Sequence, residues 1–173
     1  MNFREPGVVD GYWMEKAMEK AREAFRVGEV PVGAVLVDSS GRFFADRNRT
    51  SETGLATAHA EHLVITAASG DRKDWRLANC TLYTTLEPCL MCAGLVVLSR
   101  VSRVVFGAPD LRFGAFGSVT NVLEMPNLNH YPQVTGGCRE EESARIMREF
   151  FRRGRAAAGI RRSPGSLSEE EGT

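Results

Sequence analysis

Two short stretches hold the residue types most able to do chemistry: His59-Ala60-Glu61 and, further along, Pro88-Cys89-Leu90-Met91-Cys92. An imidazole and a pair of thiols spaced C-x-x-C are zinc ligands. Zinc takes its donors tetrahedrally, and a catalytic site supplies three of them and leaves the last corner for water. His59, Cys89 and Cys92 make three. The candidates for a further ligand read otherwise. Cys80 opens the alternating run Thr81-Leu82-Tyr83-Thr84-Thr85, where a small buried residue at a strand start suffices. Cys138 lies far along, in a Gly-Gly turn. His62 could share a helical face with His59, but a metal pair at that spacing would displace the cysteine half of the site, so it reads as a packing or capping residue.

Glu61 turns a metal site into a reaction. A carboxylate two positions from a metal-binding histidine can reach water in the open corner, take its proton and hand it to a substrate, which is general acid/base work. Standing alone it would read as a first-turn glutamate complementing a helix dipole. The cysteine pair decides for catalysis. Pro88 suits the first turn of a helix, and thiols there meet unpaired backbone N–H groups that favour the thiolate.

Both half-sites must be carried by helices. Asp10 reads as the N-cap of a helix running through Phe25-Arg26-Val27, with Trp13, Met14, Ala17, Met18, Ala21, Ala24 and Phe25 at helical spacing and Gly28 as its stop. Val30 to Val37 is an apolar strand, Asp38 to Gly41 a turn and Arg42 to Asn48 a second strand, so a hairpin is expected. Pro31 and Gly33 weaken pairing at the first strand's start, where backbone often lies open to a ligand. Arg49 to Ala58 reads as loop, and His59 opens a helix that Gly70 ends. In the connector from Lys73 to Ala78, Trp75 and Leu77 are expected to anchor on the core. A strand from Thr81 to Thr85, the Cys89 helix up to Ser99 and a strand through Val104-Val105-Phe106 follow. Gly107 to Ser118 is an ordered loop able to wall the site, and its spacing fits no phosphate-binding fingerprint. Pro126 to Gly137 reads as irregular, and Glu140 to Arg153 as the last helix, with Ile146, Met147, Phe150 and Phe151 on its apolar face. This alternation argues a layered α/β domain with helices on both faces of one sheet.

Composition agrees. A chain of 173 residues, 43% hydrophobic and 25% charged, is one ordinary globular domain. No apolar run suits a signal peptide or a membrane span, and four cysteines including a ligand-spaced pair suit a reducing compartment, so a cytoplasmic protein is expected. The formal charge balance is zero, but Arg145, Arg148, Arg152, Arg153, Arg155, Arg161 and Arg162 crowd the last helix and its exit. Such a cluster is either a solvated face or a nucleic-acid footprint. Residues 1–10 read as a leader, 11–155 as the folded domain and 156–173, with Glu169, Glu170 and Glu171, as a charged tail expected to be disordered.

His-Ala-Glu followed by Pro-Cys-x-x-Cys resembles the zinc nucleobase deaminase signature. The similarity extends to Glu29-Val30-Pro31-Val32-Gly33-Ala34-Val35, Asn48-Arg49, Thr84 to Gly94 and Arg103 to Ala108, and with these the chain resembles the bacterial tRNA adenosine deaminases (TadA) from about Tyr12 to Arg153. The resemblance implies a three-layer α/β/α cytidine-deaminase-like fold with a central mixed sheet of about five strands. It also implies a homodimer, one zinc ion per subunit and hydrolytic deamination of adenosine to inosine at the wobble position of a tRNA anticodon. Carried over by position, His59, Cys89 and Cys92 hold zinc while Glu61 moves protons to the ring nitrogen and then the amino group, and ammonia leaves. Asn48 would contact the flipped nucleoside, Val32 and Leu86 would line its pocket, and Ala60 with the Cys89 backbone would help hold base and water. Asp110, Arg112, Asn129 and His130 would meet the anticodon stem-loop, with Phe151 and Arg152 near flanking nucleotides. Pro109 and Phe113 depart from the family pattern, Phe113 standing where a small residue is usual. Two other readings share parts of this signature: a free nucleobase or nucleotide deaminase acting on guanine, cytosine or dCMP, and a non-catalytic RNA-binding subunit, against which Glu61 argues.

Overall fold

The computed structural model describes residues 6–157; the expected tail, with Arg161, Arg162 and the acidic run at 169–171, lies outside them, as do residues 1–5 of the leader. The chain forms α1 (Val8–Arg26), β1 (Gly33–Asp38), β2 (Phe43–Arg47), α2 (Thr50–Thr53), α3 (Ala60–Arg72), β3 (Cys80–Leu86), α4 (Leu90–Leu98), β4 (Arg103–Ala108), a 3-10 turn at Val122–Glu124, β5 (Gln133–Thr135) and α5 (Glu140–Ala157). The sheet order is β2-β1-β3-β4-β5. β1 pairs antiparallel with both β2 and β3, whereas β3, β4 and β5 are mutually parallel, so the sheet is mixed and five-stranded as expected.

Strand alternation sorts the core into two layers. Ala34, Leu36, Leu82, Val104 and Phe106 face Ala60, Val64, Ile65 and Ala68 of α3 and Ala93 and Val96 of α4. Val35, Val37, Tyr83 and Val105 face Met14 and Ala17 of α1. α5 joins that second layer: its Phe150 packs edge-on against Phe25, and its Ser143 hydroxyl reaches Met18. β4 runs as a near-continuous apolar, buried segment because both faces of the sheet are covered there.

Several expectations need correction. Asp10 is not the cap of α1; Gly7 is, and Asp10 sits three residues in, accepting the Gly7 N–H at 2.8 Å. Its carboxylate is buried and grips Arg103 through both oxygens, at 2.7 and 2.9 Å, while the Tyr83 hydroxyl donates to it at 2.9 Å. From this third helical position Asp10 both closes the helix start onto Gly7 and ties it to β3 and β4. Gly33 is not open backbone. A Cβ there would lie 2.1 Å from the Ala17 carbonyl oxygen, so glycine lets α1 press directly on β1. Gly70 does not end α3, which continues to Arg72 and closes on Lys73 in a left-handed conformation at φ 53°. Leu77 is fully buried, but Trp75 is 49% exposed and stacks under the Arg76 guanidinium instead of anchoring the core. Pro88 precedes the Cys89 cap of α4 and so stands outside the helix. The region expected to be irregular contains β5, three residues too short to leave a periodic signal.

Candidate metal centre

The two half-sites meet at helix starts. His59 is the N-cap residue of α3 and Cys89 that of α4, both with extended backbone, and Cys92 lies in the first turn of α4. Their donor atoms all lie within 4.8 Å of one another. His59 Nδ1 is 3.6 Å from Cys89 Sγ and 3.7 Å from Cys92 Sγ. A tetrahedral ion holding sulfur at ~2.3 Å and nitrogen at ~2.0–2.1 Å needs an N···S edge of roughly 3.6 Å. Both N···S separations therefore already match the edges of a tetrahedral metal site. His62, Cys80 and Cys138 stand outside this group, and the His62 Nδ1 is buried without a hydrogen-bond partner among the described residues.

The protonation chemistry fits a cation. Hydrogen bonding from the Cys92 thiol, with further help from His59 and the Cys92 backbone N–H, outweighs burial and brings the Cys89 thiol down to about 4. The Cys92 thiol is pushed up because it donates to that thiolate and is itself buried. The pair thus shares one proton, which a bound cation would displace. His59 is raised above its usual value by its contact with Cys89, against the effect of burial.

Glu61 occupies the first turn of α3 and is 3% exposed. Burial is the main cause that lifts its carboxyl to about 7, and its Oε2 has no hydrogen-bond partner among the described residues. A carboxylate kept dry and half-unsatisfied beside a metal group is poised to exchange protons with a ligand.

The other expected residues fall into distinct places. Asn48, buried at the end of β2, accepts the Ala60 N–H through Oδ1 at 2.9 Å, which ties β2 to the start of α3 and leaves its amide donors directed elsewhere. Val32 is buried next to it, its carbonyl accepting the Asn48 N–H, and Leu86 ends β3 just before the cysteine half. Asp110 and Arg112 lie on the 107–118 loop. Asp110 Oδ1 accepts the N–H groups of Arg112 and Phe113, at 2.9 and 3.3 Å, so its side chain shapes the loop it sits on. Asn129 and His130 are tied to the opposite end of α4 from the thiols: Arg100 donates to Asn129, and His130 Nε2 bonds the Val101 carbonyl at 2.6 Å. Phe151 and Arg152 are exposed on α5, next to Phe150 and hence to the C-terminal end of α1.

Two organising residues escaped the sequence reading. Glu87, 2% exposed, accepts the N–H groups of Phe116 and Ser118 through Oε1, at 2.9 and 3.1 Å, and of Asp110 through Oε2 at 3.1 Å. It folds the 107–118 loop against the cysteine half, where Gly114 pairs with Cys89 and the Ala115 N–H donates to the Pro88 carbonyl at 3.0 Å. A Cβ at Gly114 would lie 2.5 Å from Glu87 Oε2. Glu29 does the same on the histidine side, its carboxylate capping α2 through the Ser51 N–H at 2.8 Å and the Glu52 N–H at 3.3 Å. The only sequence signal was an acid immediately before each turn into apolar structure.

Residues 10–155 match the MafB19-like deaminase family. A tRNA-specific adenosine deaminase of Bacillus subtilis is 46% identical over 144 residues, 83% of this chain and 89% of that protein. A solved structure from work on A-to-I editing by tRNA:A34 deaminases at the wobble position is 43% identical, with a TM-score of 0.75, and covers 78% of this chain and 98% of its own. A more distant solved structure, of a mutant protein in complex with 8-azaguanine, is 25% identical with a TM-score of 0.70, over 82% of this chain and 83% of its own.

Proposed function

Because the chain belongs to the tRNA-specific adenosine deaminase family, within the MafB19-like deaminases, we propose that it converts adenosine to inosine at the wobble position of a tRNA anticodon by zinc-dependent hydrolysis. The observation that carries this reading is the placing of Glu61, buried and with one oxygen unpartnered, beside the donor atoms of His59, Cys89 and Cys92. Those three residues would hold one zinc ion per subunit. Bound there, zinc would make a water acidic enough to act as nucleophile near neutral pH.

The chain's own residues do the rest. The Glu61 carboxylate accepts a proton from the attacking water and delivers it to N1 of the adenine ring, and a second transfer to the exocyclic nitrogen lets ammonia leave. Burial that lifts Glu61 to about 7 lets it hold and release a proton in the same pH range. Asn48, with Oδ1 fixed by Ala60, offers its amide donors to the nucleoside, and Val32 and Leu86 supply apolar pocket walls. An adenine must leave its stack to reach such a recessed site, which an anticodon loop permits. Asp110, Arg112, Asn129, His130, Phe151 and Arg152 make up the proposed RNA-facing set. We place the catalytic unit at residues 11–155, although α1 already begins at Val8 and α5 runs to Ala157. A homodimer acting in the cytoplasm fits the family; no helix among the described residues is long and apolar enough to cross a membrane.

The test is nucleoside mass analysis after zinc-loaded protein meets an unmodified anticodon stem-loop with adenosine at the wobble position. Inosine is the expected product. Deamination of free guanine or cytosine without inosine in the stem-loop would replace this reading with the nucleobase one, and RNA binding with no turnover on any base would favour the binding subunit.

A further inference from the structure

The 107–118 loop carries an aromatic ring that the chemistry above leaves without a task. Phe113 is 62% exposed, against 41% for Phe151, which also spends one edge on Phe150. A single exposed ring is ordinary on a protein surface, so what distinguishes this one is how firmly and where it is held. This loop is not free to withdraw it. Glu87 fixes the backbone at Asp110, Phe116 and Ser118, and the Asp110 carboxylate fixes the Phe113 N–H itself. The ring is therefore presented by a preorganised backbone.

Its place is equally specific. Gly114, the next residue, is bridged antiparallel to Cys89. Opposed Cα atoms in such a pair lie ~4.5–5.5 Å apart and successive ones 3.8 Å, so Phe113 begins within about 9 Å of a metal-ligand residue. The Arg112 guanidinium lies over the same ring, 5.6 Å from its centroid, placing a cation beside an aromatic face. A π-surface with an adjacent cation, on a rigid loop next to a site that must receive an unstacked base, matches how single-stranded RNA is gripped.

We propose that Phe113 is a stacking platform for an unpaired nucleobase immediately flanking the target adenosine, with Arg112 beside it on the phosphate backbone. The proposal rests on the wobble-adenosine reading for the identity of the RNA, and it adds a recognition residue that the metal centre does not require.

Binding of fluorescently labelled anticodon stem-loops, followed by anisotropy, tests it independently of turnover. The RNAs are the intact loop and two loops abasic at the nucleotide 5′ or 3′ of the wobble adenosine. F113A and F113L should each bind the intact loop about 10-fold more weakly than wild type, while F113W retains affinity. On one of the two abasic loops the difference between wild type and F113A should vanish. Thermal midpoints should stay within experimental scatter, since F113L keeps most of the side-chain bulk. Wild-type affinity in F113A, or a deficit that persists on both abasic loops, or a deficit accompanied by a changed oligomeric mass, would overturn the proposal. Inosine assayed in the same samples separates the two readings: stacking without inosine removes only the wobble assignment, inosine without a Phe113 effect removes only the platform, and no wild-type binding removes both.

Discussion

Glu61 and Glu87 are buried to the same degree, 3% and 2% exposed, and flank the His59, Cys89 and Cys92 group from the histidine and the cysteine side. Their surroundings differ in one respect. Glu87 has three backbone N–H donors on its two oxygens, whereas Glu61 has an oxygen with no partner among the described residues. A carboxylate saturated by fixed donors is spent on holding backbone in place, because losing any of those bonds strands a buried N–H. A desolvated one with a lone pair to spare gains by taking a proton. Burial alone, therefore, does not distinguish the two carboxylates; the count of donors around each does.

The sharpest way to break that contrast is to remove Glu61. E61A or E61Q should lower the rate of inosine formation by about 10²–10⁴-fold, the range for losing a general acid/base, with zinc content and RNA affinity retained. Single-turnover kinetics and metal analysis by mass spectrometry check both halves. Unchanged turnover would remove Glu61 from the mechanism. C89S should instead lose the metal and activity together, and chelation of the wild type should abolish turnover reversibly, with zinc restoring it.

Replacing Glu87 tests the other side. E87A leaves the Phe116, Ser118 and Asp110 N–H groups without their acceptor, at a cost of about 2–4 kcal/mol, and should raise KM for RNA more than it lowers kcat because the loop, not the proton path, is loosened. E87Q keeps one acceptor oxygen and should fall between the two. Denaturant unfolding together with steady-state kinetics reads both effects. A loss in kcat equal to that of E61A, at unaltered stability, would collapse the distinction between the two carboxylates.

The grouping of His59, Cys89 and Cys92 beside Glu61 was legible in the sequence because short-range spacing and residue chemistry survive any fold that brings two helix starts together. The layered mixed sheet was legible from apolar alternation and from the resemblance. Glu87, Glu29 and Asp10 were not. Each acts on segments distant along the chain, and nothing local to an acidic residue tells whether its partners will be water, backbone N–H groups or an arginine. Asp10 misled because an aspartate before a helical run is locally a good cap, while its actual partners, Tyr83 and Arg103, lie on β3 and β4. The loop role of Asp110, and the anchoring of Asn129 and His130 at the far end of α4, have the same origin.

Asp10 supplies the third kind of buried carboxylate and the mildest test. Burial pushes its carboxyl up, but hydrogen bonds from Arg103, the Gly7 N–H and Tyr83, with the Arg103 charge, more than offset this and hold it below the usual carboxylate value. A folded-state pKa below the unfolded one means that the unfolded chain takes up the proton first as pH falls. The stabilisation is therefore complete above the ordinary carboxylate range and is lost as pH drops through that range toward the folded-state value. D10N should cost about 1–2 kcal/mol at pH 7, modest because Arg103 keeps partial access to water and its bond to Thr135, and the deficit should shrink toward zero under acid. Urea unfolding of wild type and D10N at a series of pH values from neutral to acid checks this. A deficit that stays constant into acid would mean that the network stabilises through shape and neutral hydrogen bonds instead of through an ion pair.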